Sequence, residues 1–160
     1  MSRSRSQTGS GGFSLIELLV VISIIGLLST MAMVAMSGSK KLARDTKRIA
    51  QIGLLQTALE LYQEDYNGSF PAGTNLVLGG NSAKALCAGG WNASPCVSGT
   101  RVYMGLVPAA PTPPDCPSDP DFTYSTVGAN ATDYTIIFCL GSKVGRYPAG
   151  VRTATHDGIK

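Results

Sequence analysis

A run of 22 residues without a charged side chain, from Leu18 to Ser39, constrains this chain more than any other feature. Leucine, isoleucine, valine, methionine and alanine dominate the run. A helix of about 20 apolar residues is long enough to cross a bilayer whose hydrocarbon core is about 30 Å thick. We therefore expect residues 13–36 to form a transmembrane helix.

One carboxylate, Glu17, lies at the start of this apolar helix. A charged side chain inside a membrane costs about 2.5 to 3.5 kcal/mol on insertion scales and usually has a partner. Residues 1–12 before it are polar and rich in glycine and serine, so they are not expected to fold. Cleavage after Gly12 would create an amino group on Phe13, and that amine could neutralise the glutamate of a neighbouring copy.

The N-terminal segment resembles the leader and first helix of type IV pilins and of type II secretion pseudopilins. The residues that carry the resemblance are GFSLIELLVVISIIGLLSTMA, beginning at Gly12. The resemblance implies that a prepilin peptidase removes residues 1–12 as a leader peptide by cutting after Gly12. It also implies that Phe13 becomes the methylated N-terminus and that Glu17 guides assembly.

A structural role follows from the same resemblance. It implies a structural subunit, not an enzyme, that polymerises with copies of itself and with other pilin-like subunits into a type IV pilus or a secretion pseudopilus. An assembly ATPase and a polytopic platform protein are the other partners implied. The short domain and the Phe70-Pro71 pair soon after the helix favour the pseudopilin. The alternative is a monomeric, membrane-anchored binding module or adhesin.

The direction of insertion is less simple to predict. Five basic residues follow the apolar run but only Arg3 and Arg5 precede it, so the positive-inside rule places the C-terminal domain in the cytoplasm. The processing motif requires the opposite orientation, and the downstream cysteines favour an oxidising compartment. We therefore expect a single-pass protein of the cytoplasmic (inner) membrane with its C-terminal domain outside, which later joins an extracellular or periplasmic fibre.

The helical pattern continues beyond the membrane through residues 37–66, which are expected to form an amphipathic continuation. No proline interrupts the chain before Pro71, so one helix is predicted for residues 14–66, ending at Asn67-Gly68. A second row, Leu54, Ala58 and Leu61, is available to a neighbouring helix. The row predicted to pack on the chain's own domain is Leu42, Ile49, Ile52, Leu55, Leu59, Tyr62 and Tyr66.

Residues 67–160 differ in composition, since they hold all 9 prolines of the chain. Strands are predicted at 102–107, 122–127 and 134–140, and a hairpin loop is predicted at 128–133. Residues 72–101 show no clear period, and a short helix is expected at 82–86. The predicted class is α+β, with a long N-terminal helix packed against a small antiparallel β-sheet domain.

Four cysteines lie in this domain, and four cysteines allow three pairings. We favour Cys87 with Cys96, which closes a loop in the irregular region, and Cys116 with Cys139, which ties a proline-rich segment to the last predicted strand. A zinc site is the poorer interpretation, because no CxxC pair exists and His156 is the one histidine of the sequence.

No cofactor is expected. Asp115, Asp119 and Asp121 could suggest calcium, but the segment lacks the glycine and glutamate of an EF-hand loop, and a turn is the favoured interpretation.

The basic run at residues 40–48 could attract DNA. Because it directly follows the apolar run, a collar at the membrane surface is favoured over nucleic-acid binding.

Overall fold

The computed structural model of the chain describes residues 12–112, 116, 121–128 and 130–160. One long helix, α1, spans Leu15–Asp65. It begins where the Ser14 carbonyl accepts hydrogen bonds from the amides of Glu17, at 3.0 Å, and Leu18, at 3.2 Å. It ends at Asn67 and Gly68, whose φ angles are 52° and 85°. This is close to the helix predicted from the sequence.

Two compact units divide the chain between Gly38 and Ser39. The first contains the described N-terminal part of α1. The second, from Ser39 to Lys160, contains the rest of α1 and the β-rich domain. Helical residues after Ser39 therefore belong to the same compact unit as the strands.

In the described part of the chain, eight strands follow α1, and each is antiparallel to its neighbours. One sheet has five strands in the order β1-β5-β6-β7-β8, and the other has three in the order β3-β2-β4. The hairpin of β5 and β6 pairs Val127 with Asp133, so Gly128 and residues 130–132 belong to its turn. The strands are β1 Leu76–Val77, β2 Ala85–Cys87, β3 Gly90–Asn92, β4 Val102–Met104, β5 Thr123–Val127, β6 Asp133–Leu140, β7 Gly150–Thr155 and β8 Gly158–Ile159.

The core of the second unit lies between α1 and the larger sheet. Alternate residues of β6 point inward, as expected for a sheet with one buried side. Helix residues spaced by three and four supply the other half of the core. The largest apolar contributions come from Ile52, Leu55, Leu59 and Tyr62 on α1, and from Phe122, Tyr124, Tyr134, Ile136, Phe138 and Leu140.

The α+β class predicted from the sequence is confirmed, although several details differ. The short helix expected at 82–86 is wrong, because Ala85–Cys87 is the central strand of the small sheet. Leu86 is buried there and pairs with both Trp91 and Met104. The strand expected at 102–107 ends at Met104, and β7 and β8 were not foreseen.

Both disulfides join the pairs favoured from the sequence. Cys87, at the end of β2, is bonded to Cys96 at a separation of 9 residues. Cys116 is bonded to Cys139 of β6 at a separation of 23 residues. The second bond joins Cys116, which lies between β4 and β5 in the sequence, to an inner strand of the larger sheet.

Candidate processing and assembly site

The start of α1 brings together the residues expected to be processed and to guide assembly. Gly12 and Phe13 precede the helix, and Glu17 lies in its first turn. A carboxylate there is favoured by the unpaired amides of a helix N-terminus. A Cβ atom added to Gly12 would meet no atom of the described chain within 4 Å. The described fold therefore does not need glycine at this position, so any requirement for it comes from another molecule.

The apolar part of α1 is exposed around its whole circumference. Phe13 and Leu15 are 83% and 82% exposed, and Val21, the most covered of the large apolar side chains described in this segment, is still 46% exposed. α1 is the one helix within the described ranges that is long and apolar enough to cross a membrane. Such a surface is not expected to remain in water, because a helix that is apolar on all sides is normally surrounded by lipid or protein.

The hydroxyl groups in this segment do not need water. Ser23 donates to the carbonyl of Val20 at 2.8 Å, and Ser29 donates to that of Ile25 at 2.7 Å. Thr30 makes the same kind of bond within the helix. These three hydroxyl groups are satisfied by the helix backbone, whereas the charged side chain of the segment, Glu17, needs a partner from outside.

The profile of the prokaryotic N-terminal methylation motif matches residues 8–36. This match supports the resemblance of the N-terminal segment to pilins and pseudopilins. The remainder of the chain lies outside the match.

Three proteins named type II secretion system core protein G are similar to part of this chain. The protein of Aeromonas hydrophila is 38% identical over 56 residues, which are 35% of this chain and 39% of that protein. That of Vibrio cholerae serotype O1 is 35% identical over 71 residues, 44% of this chain and 46% of its own. The protein of Escherichia coli K12 is 38% identical over 60 residues, which are 38% of this chain and 41% of that protein.

The matches thus span less than half the length of these relatives. No solved structure matches the chain significantly. The apolar helix and the pseudopilin relatives fit a protein that is anchored in the inner membrane and has a periplasmic domain.

The basic run at residues 40–48, predicted to lie at the membrane surface, is not exposed along its whole length. Asp45 and Arg48 are buried, and their Oδ1 and Nη1 atoms lie 2.9 Å apart. The Asp45 carboxylate also accepts hydrogen bonds from the amides of Gly141 and Ser142 and from the Ser142 hydroxyl. Arg48 donates to the carbonyl of Pro111 at 2.9 Å. These two residues fasten α1 to two separate segments of the domain.

The sequence does not predict this clamp directly, because charged residues next to a membrane segment are normally exposed. Their spacing could have revealed it. Asp45 and Arg48 continue the buried row of Ile52, Leu55 and Leu59 at intervals of three and four. The row proposed from the sequence instead began at Leu42, which is 47% exposed. Lys40 and Lys47 are exposed, so a role at the membrane surface stays a prediction for these two residues.

The segment that could suggest calcium binding lies mostly outside the described residues, which include neither Asp115 nor Asp119. Asp121 is described and exposed. No group of three or more histidine, cysteine, aspartate or glutamate residues in the described ranges could hold a metal ion.

Proposed function

We propose that this chain is a structural subunit that polymerises through its N-terminal helix into a fibre of the pseudopilus or pilus type. One observation carries the proposal. The helix exposes apolar side chains on all sides and has one carboxylate, Glu17, in its first turn. Lipid covers such a helix before assembly, and the helices of neighbouring subunits cover it afterwards.

Processing prepares the helix for assembly. A prepilin peptidase hydrolyses the amide bond between Gly12 and Phe13, which releases the leader and leaves a free amine on Phe13. Methylation of this nitrogen retains its basic character, so it remains cationic. The amine of one subunit then pairs with the Glu17 carboxylate of another. This contact is strong because charges attract more in a medium of low dielectric constant than in water.

The partners are copies of this chain, other pilin-like subunits, the prepilin peptidase, an assembly ATPase and a platform protein of the membrane. The relatives' name, type II secretion system core protein G, favours a secretion pseudopilus over a type IV pilus. In this account the chain has no catalytic role, because it is the substrate of the processing enzyme and the material of the fibre.

The domain from residue 67 onward lies outside the cytoplasm before assembly. Two disulfides support this orientation, since such bonds persist in oxidising compartments.

Shearing of cells tests the proposal. The chain is expressed with its secretion machinery, the sheared fraction is sedimented, and the recovered protein is identified by intact mass. The proposal predicts a chain that begins at N-methyl-Phe13 in this fraction. Recovery of the chain in the membrane fraction alone would instead support the monomeric anchored binding module.

A further inference from the structure

The loop between β6 and β7 lies at the end of the second unit where the chain arrives from the membrane segment. This unit begins at Ser39, the residue at which the uncharged run of the sequence ends. Asp45 follows it on α1 within about 9 Å, at 1.5 Å per residue. The Asp45 carboxylate accepts the hydrogen bonds of Gly141 and Ser142, the first two residues after β6. We call residues 141–149 the basic loop and this end of the unit the tethered end.

Strand β6 runs from the opposite end of the unit to the tethered end. Just before β6, the carbonyl of Ala131 accepts a hydrogen bond from the amide of Phe70 at 2.8 Å, and Phe70 follows the end of α1. β7 is antiparallel to β6, so its first residues also lie at the tethered end. The carboxylates described towards the opposite end are Glu60, Glu64, Asp65, Asp133 and Asp157.

Basic side chains cluster at the tethered end. The segment from Gly141 to Arg152 contains three basic residues and no acidic one. Lys143 and Arg146 are exposed, and Arg152 is half-buried. The other basic residues at this end, leaving aside Arg48 with its partner Asp45, are Lys40, Lys41, Arg44 and Lys47.

Fewer carboxylates oppose these basic side chains. Asp121, before β5, is exposed and lies towards the tethered end, because β5 begins beside the second half of β6. Asp115 and Asp119 are close to it in the sequence and lie outside the described residues. Even when all three carboxylates are counted here, the basic side chains outnumber them. The tethered end is therefore positively charged.

A tight turn fixes the shape of the basic loop. The amides of Val144 and Tyr147 each donate to the other residue's carbonyl at 2.9 Å, and Gly145 between them has a φ angle of 55°. The Arg146 guanidinium lies 5.1 Å from the centre of the Tyr147 ring and donates to its hydroxyl at 2.9 Å. The turn thus exposes a cation beside a tyrosine, a residue that is enriched at membrane–water interfaces.

We propose that the basic loop binds the anionic phospholipid headgroups of the leaflet from which α1 emerges. Because the tethered end is covalently joined to the membrane segment, the local concentration of headgroups around the loop is high. Each lysine or arginine near such a surface adds a modest attraction, and several together hold the domain against the bilayer before the subunit leaves it. This inference rests on the membrane anchoring in the proposed function and does not require polymerisation.

Quenching of a fluorophore by nitroxide-labelled headgroups tests the contact. The full chain is reconstituted in liposomes and labelled at Pro148→Cys in the basic loop, or at Thr132→Cys, an exposed residue at the opposite end. With about 30% phosphatidylglycerol, the label at position 148 should be quenched. In phosphatidylcholine alone, or at about 0.5 M salt, this quenching should be lost. The label at position 132 should remain unquenched throughout.

Neutral variants identify the residues that bind. Lys143→Gln combined with Arg146→Gln should lower the ratio of docked to undocked domain about tenfold or more. Lys143→Arg combined with Arg146→Lys keeps both charges and should dock as the wild type does. Lys84→Gln, at an exposed lysine before β2, is the matched control and should also dock normally. Thermal unfolding of each variant checks that the domain remains folded.

Equal quenching in both kinds of liposome, no quenching in either, or normal docking of the glutamine double variant would overturn the inference. So would a loop label that responds to added duplex DNA and not to headgroups, since this indicates nucleic acid as the partner. The liposomes contain no secretion machinery, so a failure of docking leaves the proposed polymerisation standing. A chain that does not float with the liposomes would instead contradict the anchored helix of the proposed function.

Discussion

His156 and Asp133 are joined across the end of the larger sheet, where the Nδ1 atom of the histidine lies 3.0 Å from Oδ1 of the aspartate. The other ring nitrogen lies 3.0 Å from Asp157. The hydrogen bond to Asp133 and the charge of Asp157 raise the pKa of His156. Burial alone would raise the pKa of Asp133, but its hydrogen bonds to His156 and to the Tyr134 amide lower it. The turn between β7 and β8 is thereby held to the start of β6.

The histidine makes the stability of the domain dependent on pH. Because its pKa is raised on folding, its contribution is complete below the ordinary pKa near 6.5 and is lost as the pH rises through the raised value. The contribution of Asp133 is lost instead as the pH falls through its lowered pKa. The midpoint temperature of thermal unfolding should therefore decrease as the pH is raised from about 5.5 to about 8.5. His156→Gln should reduce this fall, and an equal fall in both proteins would refute the assignment.

The clamp between Asp45 and Arg48 should behave as a coupled pair. Arg48→Met leaves a buried carboxylate without its cation and should lower the free energy of unfolding by about 3 kcal/mol. Combining it with Asp45→Asn should cost less than the sum of the two single changes, because the charges serve one contact. Urea unfolding of the three variants measures the coupling. Strict additivity would mean that the pair is not coupled.

Gly12 should matter for processing and not for folding. Gly12→Val should leave the leader attached, because the peptidase site has to accept backbone without a side chain at this position. Gly26→Val is the matched control, since the described structure also leaves open space around Gly26. Intact mass should show the full chain for the first variant and a chain beginning at Phe13 for the second. Normal cleavage of Gly12→Val would exclude this role for the glycine.

The two disulfides should contribute unequally to stability. In the chain-entropy description, a longer closed loop restricts the unfolded chain more. Replacing Cys116 and Cys139 with serine should lower the free energy of unfolding by about 3 kcal/mol, and replacing Cys87 and Cys96 should lower it by less. Denaturant unfolding of the two double variants gives the order. The reverse order would show that loop length is not the deciding factor.

Local patterns explain why α1 and the β5–β6 hairpin could be predicted. The helix has an uninterrupted apolar run and a glycine stop, and Tyr134, Ile136, Phe138 and Leu140 alternate with outward residues. In contrast, β1, β2, β3 and β8 have two or three residues each, too few to show a period. Their pairing depends on neighbours that are distant in the sequence. The same limit applies to the clamp, because Gly141 and Ser142 are far from Asp45 along the chain.

The candidate site was also predictable from the sequence only where its residues form a continuous local pattern. Gly12, Phe13 and Glu17 could be proposed from the sequence because the processing motif is continuous. The row of Leu54, Ala58 and Leu61 was predicted to face a neighbouring helix, but the domain covers Ala58 and leaves Leu54 and Leu61 exposed. A periodic row shows which residues share a side of a helix. It does not show which side the domain will cover.

Fibre yield from Glu17→Val tests the central claim most directly. The substitution makes the helix more apolar, so insertion and folding should be unchanged or better, while the carboxylate that pairs with the Phe13 amine is lost. Ser23→Val is the matched control, because it makes the same helix more apolar without removing a charge. The account predicts that processed Glu17→Val protein accumulates in the membrane with few or no sheared fibres, and that Ser23→Val yields fibres as the wild type does. Normal fibre yield from Glu17→Val would contradict it.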